Sequence, residues 1–207
     1  NSVIRFDTKT KKIKSVISDI PGAMNLSVDG ARERLIVTNE GFAKATIIDL
    51  ETGTPIAELA TGLEPDGAAL FDKGRILFIA SENAGLVHVF DADNFSPLGL
   101  IRTSLRPRRM ALRENELWVS SEMGSRVEIF SVETFNKLDE IIFAPRGFRP
   151  EQMTPVDILF DSTGARAYVA LGAANHVAIV NSETRGIEKY ILVGRRAWGL
   201  ALSEEAD

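Results

Sequence analysis

Short runs of hydrophobic and β-branched residues, interrupted by polar turns, recur along the whole chain. The first marker is an apolar run that ends in Asp or a small polar residue. It recurs at steps of 42, 42, 40 and 50 residues, in the segments 5–7, 47–49, 89–91, 129–131 and 179–181. A second marker repeats at steps of 42, 40 and 50 residues: 35–39, 77–81, 117–121 and 167–171. Two independent markers that share one spacing indicate an internal repeat.

The pattern inside each repeat is that of β-strands. Residues 44–49 and 126–131 follow the two-residue period of a strand and lack the 3.6-residue period of a helix. Turn pairs such as Asp29-Gly30 and Thr52-Gly53 separate the apolar runs. Four strands in roughly 40–45 residues are typical of a propeller blade. The sequence therefore predicts an all-β protein, a β-propeller of four-stranded antiparallel blades.

The repeat boundaries predict a single β-propeller region over residues 1–207. Residues 1–18 supply the last two strands of a partial blade, and residues 195–207 open another, with its first strand over 196–202. Four full blades lie between them: 19–62, 63–104, 105–144 and 145–194. The prediction is thus 19 strands in about five blades, an open arc. Because propellers usually close with four to eight blades, we expect a larger ring that continues beyond both ends.

Composition limits the function classes. The chain has 207 residues, 44% of them hydrophobic, and a formal charge of −5, which argues against a nucleic-acid partner bound through overall charge. It has no cysteine, so disulfides, thiol nucleophiles and cysteine metal sites are excluded. No apolar run has the length of a membrane span. Because phosphate-loop, nucleophile-elbow and His-Glu-x-x-His patterns are also missing, we expect no cofactor and no motif-borne catalysis.

Arginines mark the connections that lead from one blade into the first strand of the next. Three consecutive connections are basic: Arg106, Arg108 and Arg109, then Arg146 and Arg149, then Arg195 and Arg196. The two earlier connections carry acidic residues: Asp19, then Glu64 and Asp66. A guanidinium pairs with carboxylates and phosphates through two hydrogen bonds, so the basic connections predict an anionic small-molecule ligand on this rim.

The same rim carries glutamates, which leaves a second interpretation open. Glu40, Glu82 and Glu122 each follow the second strand of a blade, within reach of the arginines. The arginines would then form ion pairs with these glutamates between blades, and the pairs would orient the loops. Each exposed pair would contribute about 0–1 kcal/mol to the stability of the fold.

Four further residues are candidates for chemistry on this rim. Trp198 could stack on a planar ligand or a guanidinium, or pack in the channel. Asp66 and Asp157 could line the channel as metal ligands or acid/base groups, or form hydrogen bonds in turns. His176 could be a general base or a single metal ligand, but it has no second histidine nearby.

The strand motif Leu35-Ile36-Val37-Thr38-Asn39 resembles the YVTN repeat of bacterial and archaeal β-propellers. Most of residues 100–202 is similar to the YVTN-type propeller associated with pyrroloquinoline quinone (PQQ)-dependent catabolism, through these segments: 106–112, 116–122, 176–180 and 190–198. Residues 1–99 show only the general repeat. The resemblance implies a seven-bladed periplasmic propeller that works beside PQQ-dependent alcohol dehydrogenases and their cytochromes, with no established catalytic residues to transfer.

The leading functional hypothesis is a non-enzymatic binding or scaffold propeller that meets an anionic small molecule, a dehydrogenase or a cytochrome on its loop rim. One alternative is a propeller lactonase or similar hydrolase, for which the candidates are Asp66, Asp157, His176 and Arg195. Another is a surface-layer or adhesion repeat protein, which would bind a partner without small-molecule affinity.

Overall fold

The computed structural model of the chain describes residues 1–71 and 75–203. These residues form eighteen β-strands and one short 3-10 turn, arranged in one two-stranded and four four-stranded antiparallel sheets. The chain divides into two compact units, residues 1–99 and 100–207. The predicted all-β class is confirmed.

The first unit contains the two-stranded sheet, one four-stranded sheet and most of a second, whose last strand continues past residue 99. The short sheet pairs β1 (Ser2–Asp7) with β2 (Lys12–Ser18). The next sheet has the strands β3 (Ala23–Asp29), β4 (Arg34–Asn39), β5 (Lys44–Asp49) and β6 (Pro55–Ala60). The following sheet has the strands β7 (Pro65–Phe71), β8 (Ile76–Ser81), β9 (Leu86–Asp91) and β10 (Pro97–Arg102). In both four-stranded sheets each strand pairs with the next one along the chain.

The second unit contains two sheets of the same order. One has the strands β11 (Pro107–Arg113), β12 (Glu116–Ser121), β13 (Arg126–Ser131) and β14 (Lys137–Ile142). The other has the strands β15 (Pro155–Phe160), β16 (Arg166–Leu171), β17 (His176–Asn181) and β18 (Ile187–Leu192). The connection between the two sheets includes the 3-10 turn at Pro150–Gln152.

Burial follows strand position because the sheets of a unit cover one another. In β12 five of six residues are buried, whereas β14 on the outside has one buried residue, Ile141. Trp118 of β12 is fully buried and meets Phe160 of β15 edge to face at 5.1 Å between ring centroids. The core of the second unit therefore lies between its two sheets and consists mainly of aliphatic side chains.

One backbone hydrogen bond recurs in all four complete sheets. The first residue after the second strand donates its N–H to a carbonyl just before the first strand, at 2.8–2.9 Å: Glu40 to Gly22, Glu82 to Glu64, Glu122 to Arg106, and Gly172 to Thr154. Three of these acceptors have a positive φ, as does Arg196 (φ 60°). The loop after the second strand thus lies beside the entry to the first strand, which is the rim arrangement that the sequence predicted within each blade.

Residues 196–202 differ from the predicted nineteenth strand. Arg196 has the positive φ that precedes a first strand, but the residues after it join no sheet. A strand requires a neighbouring backbone to complete its hydrogen-bond ladder. Here the N–H of Leu200 instead donates to the carboxylate of Asp157, at 2.8 Å. Within the described residues, no helix is long and apolar enough to cross a membrane.

Candidate functional site

The rim of the second unit brings two of the predicted arginines to one glutamate. Arg108 of β11 donates from Nε to Oε2 of Glu122 at 2.6 Å, and both residues are more than nine-tenths buried. The Nε of Arg106 lies 3.6 Å from the same oxygen. Arg109 follows in β11, and its backbone N–H donates to Ser120 at 3.0 Å. The predicted pairing of arginine with glutamate therefore occurs within one blade at this position, rather than between blades.

Residues 195–200 are fastened across the rim of the neighbouring sheet. The N–H of Arg196 donates to Oδ1 of Asn175 at 2.7 Å, and Leu200 is held by Asp157. Between these two points the carbonyl of Ala197 lies so close to Gly172 that an added Cβ would come within 3.3 Å of it. The absence of a side chain at Gly172 allows this approach.

A cavity of about 560 Å³ opens beside this segment. It is lined by Glu122, Thr154, Gly172, Ala173, Asn175, Arg195 and Arg196. Arg195 and Arg196 are exposed, and neither forms an ion pair with any residue in the described part of the chain. The cavity therefore presents two guanidinium groups to solvent, which is an arrangement suited to an anion.

Trp198 lies next to this cavity with 39% of its surface exposed. The guanidinium carbon of Arg108 lies 4.7 Å from the indole centroid, and that of Arg196 lies 5.9 Å from it. Both distances fall within the range of cation–π contacts. The indole thus joins the buried Arg108–Glu122 pair to the exposed Arg196.

The two candidate aspartates lie in different units of the chain. Asp157, half-buried in β15, accepts the N–H of Ile158 at 3.0 Å through Oδ1 and the N–H of Leu200 through Oδ2. Asp66 is buried in β7 of the first unit, where its carbonyl accepts a hydrogen bond from the hydroxyl of Thr38 at 2.8 Å. Asp157 therefore fastens the segment that carries Arg195 and Trp198.

His176 belongs to an aromatic cluster under the long connection between β14 and β15. Its Nδ1 lies 2.7 Å from the carbonyl of Ala174, so Nδ1 carries the proton and donates. Its ring meets Phe148 and Tyr190 edge to face at 5.7 and 6.3 Å. Burial raises the pKa of the Tyr190 hydroxyl, although the N–H that Ala144 donates to it at 2.9 Å acts in the opposite direction.

The acid/base candidates of the hydrolase alternative are not assembled in the second unit. Across residues 1–71 and 75–203, no group of three or more His, Asp or Glu side chains could hold a metal ion. In the same described ranges, no hydrogen bond joins His176 to Asp157, because each is used by its own neighbours. Arg195 and Arg196 line the cavity and are exposed, and Trp198 lies beside Arg196.

Four cavity residues were named neither as site residues nor as rim glutamates: Thr154, Gly172, Ala173 and Asn175. The signal for them lies in the repeat alignment, where the position of Glu40, Glu82 and Glu122 is filled in the last full blade by Gly172. In the preceding blade that glutamate neutralises Arg108. In the last full blade Val156 stands at the place of Arg108, and Gly172 carries no carboxylate into the cavity that it lines together with Arg195 and Arg196.

Solved structures with the same fold include three proteins of different roles. Hydrazine synthase from Kuenenia stuttgartiensis superposes with a TM-score of 0.76 at 15% identity, covering 85% of this chain and 50% of that chain. The Cps50 (Swd1) β-propeller domain of Myceliophteria thermophila superposes with a TM-score of 0.75 at 12% identity, covering 88% and 59%. Dihydro-heme d1 dehydrogenase NirN in complex with DHE superposes with a TM-score of 0.69 at 13% identity, covering 93% and 42%.

The chain spans between 42% and 59% of the length of these three structures. No family model matches the sequence, and no curated protein matches it. The structural likeness, together with sheets of four sequential antiparallel strands, confirms the predicted fold. The chain is a β-propeller region built of four-stranded blades.

Proposed function

We propose that this chain belongs to a non-enzymatic binding or scaffold propeller whose loop rim holds an anionic small molecule. The observation that carries the proposal is the pair Arg195 and Arg196 at a cavity of about 560 Å³, where Gly172 replaces the glutamate of the other repeats. Arginine forks match carboxylates in geometry and charge. A multivalent carboxylate is therefore the ligand class that fits this rim.

The remaining charges support the same assignment. Glu122 lines the cavity, but Arg108 at 2.6 Å and Arg106 at 3.6 Å balance its carboxylate. The chain as a whole carries a formal charge of −5, so the attraction for an anion is local to this rim. The backbone clamps at Asn175 and Asp157 fix the arginine-bearing segment before a ligand arrives, which reduces the entropy lost on binding.

Calorimetric titration of the full-length protein with propane-1,2,3-tricarboxylate and with PQQ tests the proposal. We expect saturable binding that Arg195→Ala and Arg196→Ala each weaken by roughly 10- to 150-fold, the range for charge-assisted hydrogen bonds. Arg166→Ala is the matched control, because Arg166 begins β16 at the end away from this rim and pairs with Glu188 at 2.8 Å. Heats equal to dilution at millimolar ligand would refute the proposal.

The glycine at the cavity provides a second test. Gly172→Glu restores the carboxylate of the other repeats beside Arg195 and Arg196, so we expect it to compete with the ligand and weaken binding at least tenfold, in the same range as loss of a charge-assisted hydrogen bond. Gly172→Gln adds nearly the same volume without charge, and it shows how much of the loss comes from crowding against Ala197. Equal loss in the two variants would mean that the electrostatic argument is wrong.

We also propose a biological setting for this binding role. The similarity of residues 100–202 to the PQQ-associated propellers supports a periplasmic protein of PQQ-dependent alcohol catabolism, with a dehydrogenase or cytochrome as protein partner. Cell fractionation, followed by co-purification from alcohol-grown cells, tests both parts. Recovery of the protein in the cytoplasmic fraction would refute this setting, and so would a purified sample in which no dehydrogenase or cytochrome accompanies the protein. The anion site would then be tested by titration alone.

A further inference from the structure

We infer that the ligand of this rim is a planar aromatic carboxylate, which stacks on Trp198 while its acid groups pair with Arg195 and Arg196. The inference rests on the proposed function, because it adds a ring preference to an anion site. In this inference the indole of Trp198 is the group that favours binding of an aromatic acid over an aliphatic acid of the same charge.

The indole is held in place from two directions. The backbone of its segment is fastened at Arg196 by Asn175 and at Leu200 by Asp157, at 2.7 and 2.8 Å. The guanidinium of Arg108 lies 4.7 Å from the ring centroid, and Glu122 fixes that guanidinium in a buried pair. Because the ring is oriented before a ligand arrives, stacking on it costs little conformational entropy.

Part of the indole surface is available to a ligand. Trp198 is 39% exposed, whereas Trp118, the other tryptophan, is fully buried. A large aromatic surface left open to water is a source of binding free energy when another ring covers it, and offset or edge-to-face aromatic pairs add to that.

Arg196 links the stacking surface to the anion cavity. It lines the cavity, it is exposed, and its guanidinium carbon lies 5.9 Å from the indole centroid, near the outer limit of a cation–π contact. The charge and the ring are therefore next to each other. A ligand whose carboxylates are attached directly to a ring reaches both together, with Arg195 available to a second carboxylate.

The experiment compares two tricarboxylates that differ only in ring character, benzene-1,3,5-tricarboxylate and cis,cis-cyclohexane-1,3,5-tricarboxylate. Both are titrated into the full-length protein at about pH 8, where carboxylic acids are ionised. We expect the benzene acid to bind roughly 3- to 10-fold more tightly, as the measured worth of aromatic pairs implies. Trp198→Leu should bring the ratio of the two affinities close to one, and Trp198→Phe should retain part of the ratio.

Tryptophan fluorescence gives an independent readout. Of the two tryptophans in this chain, Trp118 is buried and Trp198 is partly exposed, so the part of the ligand-dependent change that Trp198→Leu removes reports on Trp198. We expect the benzene acid to change the emission of the wild-type protein, and Trp198→Leu to abolish that change. This measurement does not depend on comparing affinities between variants.

The outcomes separate the two proposals. Equal affinities for the benzene and cyclohexane acids, with emission unchanged at saturation, would overturn the aromatic preference and leave the anion site standing. No binding of either acid would overturn the proposed function, and the inference with it.

Discussion

At the scale of residues, the Arg108–Glu122 pair decides how much of the rim is structural. Both side chains are buried and 2.6 Å apart, and removing one partner of a buried pair typically costs about 3–5 kcal/mol because the other charge is left uncompensated. Glu122 keeps a weaker contact to Arg106 at 3.6 Å. We therefore expect Arg108→Ala to lower the free energy of unfolding by about 3 kcal/mol, at the lower end of that range.

Urea unfolding of the single and double variants measures this pair. Glu122→Gln introduced into Arg108→Ala removes the stranded charge, so the double variant should be less unstable than the sum of the two single changes. A loss below about 1 kcal/mol in Arg108→Ala would instead be typical of an exposed ion pair and would contradict the burial argument.

The sequence predicted which residue types would pair on this rim, but not which members of the set. Neighbouring strands settle the choice: Pro107 of β11 stands opposite Ser121 of β12, so Arg108 and Glu122 flank one register position. The irregularity that follows, between Pro107 and Met110, turns the local side chains. The pattern of apolar and polar residues predicts strands. A bulge depends on packing in the folded sheet, so this pattern does not predict its position.

At the scale of elements, the third strand of a blade holds the connection that enters that blade. His88 of β9 accepts the N–H of Gly62 through Nε2 at 2.8 Å, and Glu128 of β13 accepts the N–H of Ser104 through Oε2 at 2.7 Å. The two acceptors are 40 residues apart and occupy the same place in successive repeats. In these two blades a side chain therefore accepts a hydrogen bond from a backbone donor that no strand pairs.

This contact makes the first unit sensitive to pH. Burial lowers the pKa of His88 below its ordinary value of 6.5, and protonation of Nε2 would leave the Gly62 N–H with its longer hydrogen bond, to Ser81 Oγ at 3.1 Å. The folded state therefore binds fewer protons than the unfolded state, so the stabilisation is complete above 6.5 and is lost as the pH falls through the lower folded pKa. We expect the free energy of unfolding to decline across this window.

Urea unfolding from about pH 8 to about pH 5 tests the His88 contact. His88→Gln keeps a hydrogen-bonding side chain but does not titrate, so its stability should depend less on pH in the window where the wild-type protein weakens. Identical pH dependence in the two proteins would show that His88 does not carry the effect.

The connection between β14 and β15 shows what the repeat pattern leaves undetermined. The 50-residue step predicts an insertion between these strands, and the structure places the extra residues there. The pattern does not predict that Phe148 packs on His176 or that Tyr190 accepts the N–H of Ala144. Those contacts join residues far apart in sequence, and only the folded chain brings them together.

At the scale of the whole molecule, the fold and the proposed site depend on different features of the sequence. The fold depends on the repeated pattern, and the proposed site depends on departures from it. The fold could be predicted because each blade needs the same strands, so the pattern is repeated and every repeat supports the others. The proposed site lies where the repeat is broken, at Gly172 in place of glutamate and at Trp198 after the second arginine. A single departure from a repeat has no internal copy to confirm it, which is why Thr154 and Asn175 were found only from the structure.

Because every residue of the proposed site lies within residues 100–207, ligand binding should protect that unit selectively. A ligand that binds only the folded state raises the free energy of every local opening of the chain that requires the ligand to dissociate. Amide hydrogens exposed by such an opening then exchange more slowly. Hydrogen exchange with saturating benzene-1,3,5-tricarboxylate should therefore slow at residues 172–175 and 195–200, whose amides include the Arg196 and Leu200 clamps.

Residues 1–60 serve as the internal reference in this experiment, and Gly172→Glu is the matched variant in which the protection should disappear. The reason is that the added carboxylate would pair with Arg195 and Arg196 in place of the ligand, and Gly172→Gln shows how much of the change comes from crowding against Thr154 and Ala197. Protection spread evenly over both units, or retained in Gly172→Glu, would place the ligand elsewhere. Protection confined to the two predicted segments would show that the anion is recognised where the repeat has lost its own carboxylate.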